Sequence, residues 1–307
     1  MQTIKKPELL VTAKDLDELQ QLIQAGADAI NIGGEAYGLR LPGDFSLEMI
    51  QQAVEIAHNQ NVKIYVSMNA LFHNQALIGL EDYIIKLSEI EVDAIVFGDP
   101  AVLMTVKEVA PDLALHWNTE TTSTSYETAN YWASKGATRA ILARELSLQE
   151  VIAIKQHVNM EVQVQIHGMT CIFHSKRELV SSYLNYTGSE KKKDTSKESN
   201  LFLREHKRPD EQYPVFEDLH GTHIMSCDDI CMIEHLGLFI DGGIDSLKIE
   251  GLLKTTDYLV KVTALYRKAI DEYVENKSTS VSIEEVEKLQ TDQRPLTTGF
   301  YFKEQYY

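Results

Sequence analysis

Short apolar runs rich in β-branched residues alternate along this chain with longer stretches in which apolar residues recur every three or four positions. The runs are ELLVTA (8–13), DAINIG (28–33), KIYVSMN (63–69), AIVFGD (94–99), LALHWNT (113–119), RAILAR (139–144), VQVQIHG (162–168) and DSLKIEG (245–251). The helical stretches between them include DLDELQQLIQAG, LEMIQQAVEIAHNQ and TTDYLVKVTALYRKAIDEYVE. Gly26, at the end of the first helix, suits the left-handed position that commonly stops one. Eight strands, mostly followed by a helix, in roughly 250 residues are the repeat of a (β/α)8 barrel. A doubly wound open sheet is the rival that alternation alone leaves open. Strand count favours the barrel, as does VTAKDLDE after the first strand, where a dinucleotide-binding sheet carries G-x-G-x-x-G. The predicted fold is therefore α/β, a TIM-type barrel over 1–275 with a polar insertion at 184–230 between strands seven and eight. Residues 276–307 are expected to form a C-terminal tail packed on the barrel. An irregular polar stretch as long as 184–230 inside a compact domain points to a functional or flexible segment.

Composition changes this picture little: 44% hydrophobic and 24% charged residues suit a soluble globular chain with a sizeable core. No apolar run approaches the roughly 18 residues that cross a bilayer. MQTIKKPELLV lacks the apolar segment and cleavage site of a signal peptide. Three cysteines make no disulfide framework. A cytoplasmic location without a membrane partner is expected. Charge changes the picture more. A formal net charge of -17 argues against general nucleic-acid binding. The local exception is the insertion, where Lys191, Lys192, Lys193, Lys197, Arg204, Lys207 and Arg208 stand among Glu190, Asp194, Glu198, Glu205 and Asp210. A solvated, partly neutralised loop is the favoured reading. A basic arm touching RNA is the other, and it needs a partner to supply the rest of the positive field.

Barrels of this kind carry their chemistry at the carboxyl ends of the strands. Those ends hold Arg40 in the loop after strand two, Asn69, Asp99, then Asn118, Thr119 and Glu120, Arg144 and Glu145, His167 and Cys171, and Lys248 and Glu250. Arg40, Arg144 and Lys248 together would line a cavity with cations and, with Asn69, suit a small anion such as a carboxylate. Glu145 and Glu250 would pair with the cations and hold them in place. Ion pairs serving only barrel stability are the competing reading. His167, Cys171 and Glu145 are the candidate catalytic residues, the turn at Gly168 being expected to bring the imidazole and the thiol near one place. There is no H-E-x-x-H zinc pair and no G-x-S-x-G elbow. Cys227-x3-Cys231 reads either as a metal pair or as one buried and one exposed thiol.

The stretches PELLVTA, GADAINIGGEAYGLR, SMNALFHN, DAIVFGDPAV, NTETTSTSYETANYWASKGATRAILARELSLQE, HGMTCIF, KRPDEQYPVFED, SCDDICMIEHL, GIDSLKIEG and TTGFYF follow one another in this order. By them the chain resembles the peptidase U-thirty-two family, also called the collagenase-like proteases, over nearly its whole length. Despite the name, the resemblance implies a part in O2-independent or prephenate-dependent hydroxylation of tRNA, ribosomal RNA or ubiquinone precursors. The branch it looks like is the tRNA type, which makes 5-hydroxyuridine at the wobble position with prephenate as the implied source of the hydroxyl. Prephenate is a dicarboxylate, as the expected cavity would suit. Short relatives occur beside a longer, cluster-bearing paralogue with an extra C-terminal domain, which is not expected in a chain that stops soon after TTGFYF. The implied partner is that paralogue in a heteromer, or a second copy in a homodimer, with tRNA reached through the complex. A peptidase and a non-catalytic partner subunit are the alternatives, so whether the chain is itself an enzyme stays open.

The resemblance also implies an iron–sulfur cluster on four cysteines. Cys171 matches the first position of the family's C-x4-G-x-C pattern, but Lys176 stands at its glycine and Glu178 at its second cysteine. Gln163 and Gln165 replace the glutamate and phenylalanine that open it. The third cysteine, expected within 185–202, is missing, and Cys231 matches the fourth. Cys227 stands where relatives carry a small residue, and Leu252 where they carry arginine. With Cys171 and Cys231 as two ligands of four, a complete cluster is not expected in this chain.

Overall fold

The computed structural model describes residues 5–118, 124–188, 194–290 and 294–303. Thr119, Glu120, Glu190, Lys191, Lys192 and Lys193 lie outside the described residues. The chain begins with β1 (Glu8–Thr12), α1 (Leu16–Gln24), β2 (Ala29–Ile32), α2 (Leu47–His58), β3 (Lys63–Met68) and α3 (Leu80–Glu89). Next come β4 (Ala94–Phe97), α4 (Pro100–Val109), β5 (Ala114–Asn118), α5 (Tyr126–Ser134), β6 (Arg139–Ile141), α6 (Leu148–His157) and β7 (Glu161–Gly168). A further group follows: β8 (Cys171–Ser175), α7 (Leu179–Tyr186), β9 (Phe202–Glu205), β10 (Arg208–Asp218), β11 (Gly221–Met225) and β12 (Asp229–Cys231). The chain then runs through α8 (Leu236–Asp241), β13 (Ser246–Ile249), α9 (Thr256–Asn276), α10 (Ile283–Glu287) and β14 (Leu296–Thr297).

Strands β1 to β7 pair in parallel in chain order, and β13 closes the ring by pairing with both β1 and β7. These are the eight strands that the apolar runs predict, and the closed ring excludes the open sheet. Alternation along each strand divides the core in two. Leu9, Val11, Ile30, Ile32, Ile64 and Val66 point outward into one large apolar cluster shared with the helices. Leu10, Ala29, Tyr65, Ala94 and Val96 fill the barrel interior. Local signals start and stop the helices: Asp15 accepts from Glu18 N to cap α1, and Gly26 follows that helix at φ +100.

The amino end of the barrel is closed by one buried cation. Arg139 donates to Glu8 Oε1 at 2.6 Å and to Glu161 Oε2 at 2.6 Å, with its guanidinium 5.1 Å from the Tyr65 ring centroid. Tyr65 and Ser246 also donate to Glu8, at 2.6 and 2.8 Å. Burial alone would raise the Glu8 carboxyl, but Arg139 and these hydrogen bonds outweigh it and hold it below the usual range.

The segment expected to be an irregular insertion differs from that expectation. Strands β8, β11, β10 and β9 form a second, four-stranded antiparallel sheet, and it begins at Cys171 rather than 184. Its strands carry mixed polar and apolar positions because the sheet is only partly covered: all of β9 and the start of β10 are exposed, while β11 is largely buried. The sheet covers the carboxyl end of the barrel, where Lys197 Nζ donates to Leu41 O at 2.9 Å and His220 Nε2 to Glu35 O at 2.7 Å. Beyond α9, β14 pairs with β12, and the buried Tyr301 hydroxyl donates to Gln165 O at 2.6 Å. Among the described residues no helix is long and apolar enough to cross a membrane.

Candidate functional site at the carboxyl end of the barrel

The inward positions of the strands turn polar toward their carboxyl ends. Thr12, Asn31, Ser67, Asn118, Gln163, Lys248 and Glu250 line a cavity there, joined by Arg40, Asn69 and Arg144 from the loops. Its free interior is about 40 Å³. Three cations in that lining, Arg40, Arg144 and Lys248, face one carboxylate, Glu250. In a chain of net charge -17 this is a local reversal of sign. All five residues expected to bind a ligand (Arg40, Asn69, Arg144, Lys248 and Glu250) meet in this one cavity.

The supporting bonds are specific. Lys248 Nζ lies 2.9 Å from Glu250 Oε2, while Thr12 Oγ1 and Leu252 N each donate to Glu250 Oε1 at 3.2 Å. Burial would raise the Glu250 carboxyl; Lys248 and these donors override it, so the group stays ionised and its pKa falls below the usual value. Leu39 N donates to Asn69 Oδ1 at 2.8 Å, which pins the loop carrying Arg40. Arg40 itself sits in the left-handed region at φ 53, an uncommon backbone for a side chain of its kind. Burial pulls its pKa down and Arg144 adds to this, against the pull of Cys171, Glu250 and Asp218. Gly168 ends β7 at φ +96, and a Cβ there would fall 2.3 Å from the Glu250 carbonyl oxygen. Glycine thus lets the ends of β7 and β13 approach.

A second, outer hollow shares Leu39, Arg40, Asn69, Asn118 and Arg144 with the first and adds Leu71, Cys171, Ile172, Phe173 and His174. Its new wall comes from the insertion sheet. The His174 ring stacks on His223 at 4.6 Å, and His223 Nε2 lies 2.9 Å from Asp218 Oδ1. The site is therefore two-tiered, polar and cationic within, apolar and aromatic at the rim.

Three expectations need correction. His167 does not reach the cavity. Its ring is fully buried behind β7, with Nε2 2.9 Å from the Tyr258 hydroxyl and Nδ1 3.3 Å from that of Tyr266, both on α9. The cause is a register irregularity: Lys248 pairs with Gln165 but Ile249 with His167, so an extra residue of β7 turns the imidazole outward. Cys171 and His167 consequently do not form a dyad. Glu145 is exposed in the turn after β6 and is not among the cavity's lining side chains. Cys231 is buried on the α9 side, with the Tyr266 hydroxyl donating to its sulfur at 3.6 Å, whereas Cys171 borders the outer hollow. Asp99, another strand-end residue, caps α4 by accepting from Ala101 N at 2.9 Å.

Sequence reasoning from strand ends missed Thr12, Asn31, Ser67 and Gln163, which lie inside the strands. Their signal was present as polar residues at alternate positions of otherwise apolar runs. The rim side chains Phe173 and His174 carried no such signal, since only the insertion sheet brings them to the mouth. Among the described residues no three His, Cys, Asp or Glu side chains converge as metal ligands. Lys176 and Glu178 are exposed, and Cys171 and Cys231 look into different surroundings. The described side chains therefore do not fit a four-ligand cluster.

Known proteins agree with this architecture. The model of Peptidase family U32 matches residues 14–307. The tRNA hydroxylation protein P2 of Bacillus subtilis (strain 168) is 51% identical over 313 aligned positions, covering 99% of this chain and 100% of that protein. The tRNA hydroxylation protein P1 of the same organism is 34% identical, covering 97% of this chain and 71% of its own length. The solved structure of the U32 peptidase Mk0906 superimposes with a TM-score of 0.50 at 18% identity, covering 80% of this chain and 92% of that one, and supports the fold. The chain belongs to Peptidase family U32.

Proposed function

We propose that this chain is a component of prephenate-dependent hydroxylation of the tRNA wobble uridine to 5-hydroxyuridine in the cytoplasm. In this reading it binds the dicarboxylate in the barrel mouth and works with a longer, cluster-bearing relative. The observation that carries the reading is the reversal of charge in the mouth, where among the described lining residues Arg40, Arg144 and Lys248 stand with one carboxylate, Glu250. A planar guanidinium matches a carboxylate through two parallel hydrogen bonds, and two arginines suit a ligand with two such groups. Lys248, fixed by Glu250, orients the ligand from the cavity floor. The two Bacillus subtilis tRNA hydroxylation proteins support a part in tRNA hydroxylation and the pairing of a short with a longer protein. A peptidase working through Cys171 and His167 loses its basis, because that imidazole faces α9.

Two measurements test this. Calorimetric titration of the purified chain with prephenate should show saturable binding that weakens at least tenfold in Arg144→Met. Deleting the gene should lower 5-hydroxyuridine in total tRNA, read by mass spectrometry of nucleosides. Unaltered 5-hydroxyuridine together with no prephenate uptake, with or without the longer relative, would end the proposal.

A further inference from the structure

The insertion presents an unusual surface beside the mouth. Helix α7 reads LVSSYLNY, yet none of its residues is buried. Polar bonds hold its start: Val180 N and Ser181 N donate to the two Glu217 carboxylate oxygens at 2.7 and 3.1 Å, and Leu179 N donates to Thr222 Oγ1 at 2.9 Å. Tyr183 is 65% and Tyr186 91% exposed, so the anchored helix turns its rings to solvent. The preceding strand β8, on the edge of the insertion sheet, continues this face with Ile172 and Phe173, 54% and 45% exposed. Both side chains also border the outer hollow, next to Arg40 and Arg144. Exposed rings and apolar side chains thus stand both on α7 and at the lip of the cationic mouth.

Charge selects what this strip would hold. Among the described residues of 171–210, six Lys and Arg stand against five Asp and Glu, while the 267 residues outside that segment carry 20 against 40. An apolar surface meant for another protein is depleted in charge at its centre. Exposed rings interleaved with cations are instead the chemistry that holds unpaired nucleic acid, with bases on the rings and phosphates on Lys and Arg.

We propose that the outer hollow and the α7 face bind an unpaired loop of a folded RNA, with one base stacked on Phe173 at the lip of the mouth. This rests on the function proposed above and supplies its RNA-recognition surface. The Asn69 side-chain amide, in the wall shared by both tiers, offers N–H donors to the edge of that base. Lys176 and Arg177, exposed between β8 and α7, stand where the adjoining backbone phosphates would pass. The small dianion would enter past the same lip, and the two ligands would meet at Arg40 and Arg144.

The test is a fluorescence anisotropy titration of the purified chain with a labelled stem–loop RNA carrying an unpaired uridine, and with a fully paired duplex of matched length. The stem–loop should bind at least tenfold more tightly than the duplex. Phe173→Ala should weaken stem–loop binding about tenfold, the range expected for one stacked base, and Phe173→Trp should restore it. The double variant K176E/R177E should weaken binding further and flatten its salt dependence. Thermal unfolding of each variant identifies any that is misfolded, and the restored Trp variant keeps the test decisive. Equal binding of loop and duplex, no RNA binding by the native chain, or an unaffected Phe173→Ala would overturn the inference. So would self-association or capture of the longer relative through this face, abolished in Tyr183→Ser, without RNA binding. Prephenate titrations on the same preparations separate the two proposals. RNA lost with prephenate uptake intact sinks this one alone; RNA bound through Phe173 without prephenate uptake sinks only the earlier one.

Discussion

Arg40 holds a left-handed backbone at φ 53, a conformation that costs a non-glycine residue on the order of 1–3 kcal/mol. Its guanidinium also lines the mouth, so strain and ligand contact coincide in one residue. Arg40→Gly removes both. Urea unfolding should show a stability change within about 1 kcal/mol, strain relief being offset by glycine's larger unfolded-state entropy. Dianion affinity should nevertheless fall at least tenfold by calorimetry. A large loss of stability would show that Arg40 is a structural residue. His167 makes the complementary case. Burial, reinforced by the Lys254 charge, lowers its pKa from 6.5 to about 3. Between those values the unfolded chain binds a proton that the folded chain refuses. Stability is therefore untouched above pH 6.5 and falls with acidification below it, by about 1.4 kcal/mol per pH unit. His116, lowered mainly by burial, acts in the same direction. Glu8 and Asp229, held below their ordinary values by Arg139 and Lys254 against the effect of burial, lose their contribution only at still lower pH. Urea midpoints of His167→Gln between pH 6.5 and 5 should decline less steeply than those of the native chain. Residue type was readable in both cases; which way the side chain points was not. The outward turn of His167 depends on one extra residue of β7 opposite β13, a partner some eighty positions away.

Among the elements, the barrel strands were legible because their apolar inner and outer positions leave unbroken runs with helices between them. The four-stranded insertion sheet was not. Its outer face meets water, so polar residues interrupt its strands and imitate a loop. Two contacts between elements make sharp predictions. Arg139 ties β6 to β1 and β7 through Glu8 and Glu161. Arg139→Met leaves Glu8 a largely buried carboxylate without its cation and should cost about 3–5 kcal/mol in urea unfolding. A loss under 1 kcal/mol would mean water reaches that end of the barrel. Gly168→Ala places a methyl group against the Glu250 carbonyl. It should lower stability by more than about 1 kcal/mol and weaken dianion binding as well, since the displaced strand end carries Lys248 and Glu250. Native-like affinity in that variant would show the mouth to be insensitive to this junction.

For the molecule as a whole, the mouth gathers side chains from β1, β2, β3, β5, β7 and β13 with the loops after β2 and β6. A ligand bound there bridges elements far apart in the chain and is absent from the unfolded state. Prephenate at a hundred times its dissociation constant should therefore raise unfolding free energy by about 2.7 kcal/mol, read as a shift in urea midpoint. Succinate, a smaller dianion, offers a control for charge without the ring. A zero shift at saturating prephenate would contradict binding to the folded mouth.

The sequence by itself determined the barrel, its eight strands, its family and the position of five polar residues at the carboxyl ends of the strands. Periodicity and strand order depend on each residue's immediate neighbours, and a strand end is readable as soon as the strand is. Tertiary structure alone decided that Arg40, Arg144 and Lys248 share one cavity with Thr12, Asn31 and Gln163. It also decided that His167 lies behind the wall, and that Phe173 stands at the lip. These depend on ring closure, on one irregular step of register and on a second sheet folding back over the mouth. Each is a contact between segments distant in the chain, and local pattern carries no record of such contacts.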